Sequence, residues 1–242
     1  MPSDTYVVTF YCSLPRGQSA SFEVEVHPDW APNGAARFKE LLEADFYTGT
    51  SFFRVVKNFI VQFGIHPRPD ISARWTNRTI PDDPVLKSND RGLVSFASSG
   101  LRSRNTQLFV NLNRNVNLDG MGFAPFGVVV GDGMTVVDRI FAGYGEAPQQ
   151  ARILAEGAMY LEQNFPKLSY VRRVRIGTEP FGAQRRDRNK FSSSVMRRVR
   201  PTSRRARREI RNALQEARRE RRESEIDAAN AYRWVEMPTM IG

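Results

Sequence analysis

Two polar side chains, Arg54 and Gln62, interrupt an apolar run that extends from Ser51 to Gly64. The run is almost entirely β-branched or aromatic, and Lys57-Asn58 near its middle predicts a turn between two strands. The turn can bring Arg54 and Gln62 onto one face, although strand parity alone does not establish it. A guanidinium and an amide there are either solvated side chains on a half-buried hairpin or a hydrogen-bonding site. The hairpin alone favours the first interpretation.

Composition argues against several other kinds of chemistry. The single cysteine, Cys12, excludes an intrachain disulfide and a cysteine-based zinc site, and the two histidines, His27 and His66, are far apart in sequence. We therefore predict neither a metal nor a cofactor. No apolar run approaches the roughly 18 residues that span a bilayer, and the N-terminus lacks a basic and then apolar signal pattern. We expect a soluble protein of a reducing compartment, cytoplasmic or nuclear, with an organellar assembly still open.

The basic charge is concentrated near the C-terminus. Of the net charge of +10, residues 179–242 carry most, with 17 Lys and Arg against 9 Asp and Glu, whereas residues 1–178 carry 19 against 17. This shift predicts a near-neutral domain at 1–178, a basic linker at 179–201 and an Arg-rich extension at 202–242.

Residue periodicity in the first 178 residues predicts a mainly β domain. Apolar alternation and turn residues predict strands at 5–11, 21–26, 92–97, 106–112, 125–130 and 169–176, besides the two in the hairpin. Helical spacing predicts helices at 33–45 and 134–141 and indicates a third at 153–164, while residues 65–91 read as a long loop. So few helices cannot supply parallel crossovers, so the sheet is expected to be mostly antiparallel, in a barrel or a sandwich.

The strand motifs together resemble the cyclophilin family of peptidyl-prolyl cis-trans isomerases. The motifs, in family order and spacing, are Phe52-Phe53-Arg54-Val55-Val56, Asn58-Phe59-Ile60-Val61-Gln62, Gly92-Leu93-Val94-Ser95-Phe96-Ala97, Thr106-Gln107-Leu108-Phe109-Val110, Leu118-Asp119-Gly120 and Phe126-Gly127. The resemblance extends from about residue 6 to 176. It implies a closed eight-stranded antiparallel β-barrel capped by two α-helices. The basic C-terminal tail is predicted to be helical and to follow this barrel.

The resemblance also implies a function and a site. The implied function is isomerisation of X-Pro bonds in proline-containing polypeptides, assisting their folding or assembly. Arg54 is implied as the main catalytic residue, and Gln62 as a hydrogen-bonding partner of the substrate backbone. The implied substrate groove is lined by Phe59, Ile60, Phe109 and Leu118, flanked by Ala97, Ser98 and Gln107, and edged by Phe123.

Several positions depart from the family pattern. Phe53 stands where the family commonly has His, Ala97-Ser98-Ser99 replaces Ala-Asn-Ala, and Phe63-Gly64-Ile65 follows Gln62 in place of Gly-Gly-Asp. Phe123 is the best match for a frequent His at the groove edge. Asn117 replaces a frequent Trp, whose indole donor helps to hold cyclosporin-type inhibitors, so we expect weak cyclosporin binding with retained isomerase activity. The alternative is a low-activity or inactive structural subunit, tethered by its tail to an RNA–protein or organellar complex.

The tail predicts partner binding. A helix is expected from Thr202 or Ser203 to about Tyr232. The arginines that would contact RNA or an acidic protein are Arg197, Arg198, Arg204, Arg205, Arg207 and Arg208. A solvated charged extension, a nuclear-import signal and docking through Leu214 and residues 232–235 remain open.

Overall fold

The computed structural model describes residues 4–177. The strands are β1 (Tyr6–Leu14), β2 (Gln18–Val26), β3 (Arg54–Val56), β4 (Ile60–Phe63), β5 (Leu93–Phe96), β6 (Leu108–Asn111), β7 (Pro125–Val130) and β8 (Tyr170–Gly177). The α-helices are α1 (Pro32–Glu43), α2 (Pro69–Thr76), α3 (Asn117–Gly120), α4 (Gly133–Val137), α5 (Gln150–Glu156) and α6 (Ala158–Asn164). The predicted linker, the helical extension and its six arginines lie outside the described residues and stay predictions.

All eight strands form one antiparallel sheet, in the order β3-β4-β6-β5-β7-β2-β1-β8. Side chains alternate across it, so one face supplies the main core. That core includes Phe10 and Phe22, whose rings stack at 5.1 Å, and Phe38 of α1, which packs 5.0 Å from Phe126. The outer face of β3, β4 and β6 is left for other side chains, and the candidate site lies there.

The prediction of a closed barrel is wrong, because the strand ladder is open between β3 and β8. β3 has only three residues, and the backbone N–H of Val55 donates to the carbonyl of Gly145 at 3.1 Å, so this edge is used by a loop. The segment just before β3 reaches β8 instead. Ser51 forms an isolated bridge with Tyr170, and the N–H of Phe52 donates to Ser169 at 3.0 Å. The result is a curled sheet whose gap is spanned by irregular backbone.

The helices also outnumber those expected, since helical spacing predicts two and indicates a third, whereas residues 4–177 contain six α-helices. α1 lies where helical spacing predicts it. The segment predicted as one helix at 153–164 is split at Gly157, which has φ +64° and whose Cβ, if present, would lie 2.1 Å from the carbonyl oxygen of Pro67. Close approach of two backbones therefore requires glycine there and breaks the helix.

Within the loop predicted at 65–91 the structure contains a helix, α2. Pro69 stands in its first turn, where a missing N–H costs nothing, and Trp75 anchors it at 5.8 Å from Phe46. Asp83, which also belongs to the segment 65–91, binds the first turn of α1. Its carboxylate accepts hydrogen bonds from the N–H groups of Asn33 at 3.0 Å and Gly34 at 2.8 Å. Sequence reasoning missed both features, because α2 is only eight residues long within a proline-rich segment and the Asp83 contact joins segments that are distant in sequence. No helix of the described chain has the length and apolar character to span a membrane.

Candidate active site

The pairing of β3 with β4 places Arg54 directly opposite Gln62. Residues opposite each other in an antiparallel pair project to the same face of the sheet. The register therefore shows that Arg54 and Gln62 share a face, which strand parity alone did not establish. A guanidinium Nη1 of Arg54 donates to Oε1 of Gln62 at 3.1 Å. The two polar side chains of the apolar hairpin therefore form one hydrogen-bonded unit.

Gln62 is held from its other side as well. Its side chain is buried, and Nε2 donates to Oε1 of Gln107 at 2.8 Å, while the backbone of Gln107 accepts from the N–H of Ala97 at 2.9 Å. A buried amide with both ends occupied has a fixed orientation. Gln62 consequently presents its carbonyl oxygen to Arg54, and that contact positions the guanidinium.

An apolar floor lies beside this unit on the same face of the sheet. Ile60, Phe109 and Leu118 are buried against one another, separately from the main core. The ring of Phe123 packs edge-on against Phe109 at 5.5 Å, and the guanidinium carbon of Arg54 lies 5.9 Å from the ring centre of Phe59. The positive charge of Arg54 thus borders an apolar surface.

These side chains border a cleft of about 460 Å³. Every residue predicted for the site lines it: Arg54, Phe59, Ile60, Gln62, Ala97, Ser98, Gln107, Phe109, Leu118 and Phe123. The lining also includes residues that sequence reasoning did not select: Ser99, Ser103, Asn105, Met121 and Gln150. The serines form part of the polar wall, where the hydroxyls of Ser98 and Ser103 lie 2.9 Å apart.

A network of asparagines behind the floor fixes the loop that carries Leu118 and Phe123. Asn89 donates to Oδ1 of Asp119 and to the carbonyl of Phe123, both at 2.8 Å, and Asn115 donates to the carbonyl of Phe59 at 2.9 Å. Burial opposes the charge of Asp119, but hydrogen bonds from Ser88 and Asn89 hold its pKa below the ordinary value. The network holds this loop against the floor by hydrogen bonds, and its asparagines and Asp119 do not line the cleft. Sequence reasoning missed it, since isolated asparagines in loops have no periodic signal.

Sequence reasoning also missed Glu146, which contacts the candidate catalytic group. Its Oε1 accepts from Nε of Arg54 at 2.7 Å and also pairs with Nη2. The hydrogen bond from Val55 to Gly145 brings this loop to β3. The side chain of Arg54 is 25% exposed and that of Glu146 is 62% exposed, so the pair lies at the rim of the cleft. Ninety-two positions separate the partners, and nothing in the sequence connects them.

Within residues 4–177, no group of three or more His, Cys, Asp or Glu side chains is arranged to hold a metal ion. The side chains that line the cleft offer hydrogen bonding, positive charge and an apolar surface.

Comparison with known proteins agrees with this geometry. Residues 14–156, more than half of the chain, match the family model described as cyclophilin type peptidyl-prolyl cis-trans isomerase/CLD. The chain belongs to the cyclophilin family. Among its relatives, peptidyl-prolyl cis-trans isomerase 10 of Caenorhabditis elegans is 32% identical over 126 residues, which cover 50% of this chain and 76% of that protein. Human peptidyl-prolyl cis-trans isomerase-like 3 is 31% identical over 124 residues, covering 49% and 74%.

A solved cyclophilin shows the same fold. The crystal structure of a cyclophilin type peptidyl-prolyl cis-trans isomerase from Cryptosporidium parvum aligns with a TM-score of 0.52, at 18% identity, over 73% of this chain and 100% of that one. Three positions at which this cyclophilin departs from the family pattern lie in different surroundings. Phe53 is buried with Ile153 and Tyr160 of α5 and α6, in a second apolar cluster. Phe123 lines the cleft, whereas Asn117 is exposed and is absent from its lining.

Proposed function

We propose that this cyclophilin catalyses cis–trans isomerisation of X-Pro bonds in polypeptides, with the proline ring in the cleft and Arg54 beside the prolyl nitrogen. The observation that carries the proposal is the position of Arg54, fixed by Gln62 at the border of the apolar floor. Membership of the cyclophilin family supports it independently.

The reaction needs stabilisation of a twisted bond rather than a nucleophile. Rotation of a peptide C–N bond has a barrier of about 18–20 kcal/mol, because conjugation is lost as the bond twists. At the twisted state the prolyl nitrogen becomes pyramidal and accepts a hydrogen bond that neither planar isomer accepts. A fixed guanidinium at that nitrogen binds the transition state more strongly than either ground state, as catalysis requires.

The remaining lining residues have complementary roles in this proposal. Ile60, Phe109 and Leu118 bury the proline ring and exclude water, which strengthens the electrostatic interaction with Arg54. Gln62 orients the guanidinium. Ala97 and Ser98 lie along the peptide backbone of the substrate, on the polar side of the cleft. A hundred-thousand-fold acceleration needs only about 7 kcal/mol of transition-state stabilisation.

The test is an isomerisation assay on a proline-containing peptide with the wild-type chain and Arg54→Ala. We expect Arg54→Ala to lower kcat/KM about a hundredfold, as removal of one transition-state donor does in other enzymes. Arg91→Ala is the matched control, since Arg91 is also an ion-paired arginine, bound to Asp138 at 2.7 Å, but is absent from the cleft lining. The control is expected to retain wild-type activity.

Two results would contradict the proposal. Equal activity in wild type and Arg54→Ala would remove Arg54 from the reaction. No turnover in either, with peptide binding retained in the cleft, would favour the structural-subunit alternative.

A further inference from the structure

A second cleft, of about 950 Å³, shares no lining residue with the candidate active site. It lies between the turn that joins β1 to β2, the end of α4, the loop after α6 and the start of β8. Four of its lining residues are cations, Arg16, Arg139, Lys167 and Arg172, and none is acidic. All four are solvent-exposed.

The charge of this cleft is not neutralised by neighbours within the described chain. Ten ion pairs join residues between 4 and 177, and none includes any of these four cations. Arg139 donates instead to the neutral amide of Gln18. Residues 1–178 are nearly neutral as a whole, so this local concentration does not follow from composition.

Local backbone irregularities place two of the cations. Arg16 has φ 62° in the hairpin turn, a left-handed conformation that a bulky residue rarely adopts. Arg172 is the extra residue of a β-bulge, because Tyr11 pairs with Arg173 and Cys12 with Val171. Bulges redirect a side chain, and strained residues are enriched at functional sites.

Two partly exposed aromatic residues, Phe141 and Tyr170, line the same cleft. Unpaired cations beside aromatic rings are the combination that binds single-stranded nucleic acid, since cations contact successive phosphates and bases stack on rings. Three of the four cations are arginines, whose planar donors match phosphate oxygens. Phe141 also packs edge-on against Tyr144 at 5.0 Å, and Tyr170 packs against the second apolar cluster, so the partly exposed surfaces of the two rings are what a base can contact. An acidic polypeptide would use the charge of the cleft but not these ring surfaces.

We propose that this basic cleft binds single-stranded nucleic acid, through phosphate contacts from Arg16, Arg139, Lys167 and Arg172 and base stacking on Phe141. The binding does not depend on the proposed isomerase reaction, because the two clefts have separate residues.

The experiment measures the affinity of the full chain for a labelled 20-nucleotide single-stranded RNA by fluorescence anisotropy, across a salt series. The test variant is Arg16→Gln/Lys167→Gln. The control is Arg74→Gln/Arg114→Gln, whose two arginines are each 74% exposed and lie outside the cleft. Both variants remove two charges, so any general contribution of net charge, including that of residues 178–242, is the same in both.

Two lost phosphate contacts predict a fall in affinity of about tenfold at 0.15 M salt and a salt slope smaller by about 1.4. We expect that change in the cleft variant only. Phe141→Leu, which keeps an apolar side chain, is expected to weaken RNA binding about fivefold with the salt slope unchanged. Circular dichroism confirms that each variant is folded.

Equal losses in the two double variants would overturn the proposal, because binding would then depend on net charge alone. Wild-type RNA affinity in Phe141→Leu, together with tighter binding of polyglutamate than of RNA, would assign the cleft to acidic polypeptides instead. Isomerase activity, measured in parallel, is expected to stay at the wild-type level in all three variants.

Discussion

Replacement of Glu146 by alanine tests how strongly the rate of isomerisation depends on the orientation of the Arg54 guanidinium. In the structure one guanidinium nitrogen of Arg54 is bound to Gln62 and two are bound to Glu146. Loss of Glu146 leaves Gln62 as the contact that holds the group. The guanidinium would then sample more orientations, and fewer of them place a donor at the prolyl nitrogen. We therefore expect Glu146→Ala to lower kcat/KM while peptide binding, and thus KM, changes little.

The size of the effect follows from the exposure of the pair. Exposed ion pairs contribute about 0.2–1 kcal/mol, and here the two side chains are 25% and 62% exposed. Converted to a rate, at most about 1 kcal/mol corresponds to roughly a fivefold loss. This loss is much smaller than that expected for Arg54→Ala, because the donor itself remains. Glu146→Gln retains an acceptor oxygen and is expected to recover part of the activity.

The assay is the same peptide isomerisation, performed at low and high salt. Screening weakens the pair in the wild-type chain, so its activity should approach that of Glu146→Ala as salt rises. The control is Glu156→Ala, since Glu156 accepts from Nε of Arg152 at 2.6 Å in a similar pair outside the cleft. Unchanged or increased kcat/KM in Glu146→Ala at low salt would refute the positioning role, as would an equal loss in the control.

Two further predictions concern stability. Gly64 has φ +103°, and a Cβ there would lie 2.5 Å from the carbonyl oxygen of Thr106, so Gly64→Ala is expected to cost about 3 kcal/mol in urea denaturation. Gly17→Ala, at φ +70° with open space, should cost only about 1 kcal/mol, and equal costs would show that the clash is relieved. Burial lowers the pKa of His66, so the unfolded chain binds the proton more readily. The stability that His66 contributes is therefore complete above about pH 6.5 and is lost as the pH falls through the lowered pKa. His66→Gln should have a flatter stability profile between pH 7 and 5, and an unchanged profile would contradict this assignment.

Strand periodicity was sufficient to predict the strands, whereas the ten residues of the candidate site were predicted from the resemblance to the cyclophilin family. Strand periodicity depends on neighbours two positions apart, which a single chain displays directly. The site residues were found because they belong to motifs in a fixed order. All ten line one cleft, although their catalytic and binding roles stay predictions.

Features that depend on contacts between distant segments could not be predicted from strand periodicity or from the order of motifs. Glu146 reaches Arg54 through a loop that is hydrogen-bonded to the free edge of β3, where the sheet is open although a closed barrel was expected. Gly157 breaks the predicted helix because Pro67 approaches it from another part of the chain.

The sequence therefore determined which residues alternate, which are apolar and which motifs follow one another. The tertiary structure decided which of these residues meet. Side-chain contacts between distant segments depend on register, loop path and backbone approach, and none of these leaves a local pattern. The opposed pair Arg54 and Gln62 was visible as two polar residues in an apolar hairpin, but only the register made them one hydrogen-bonded unit.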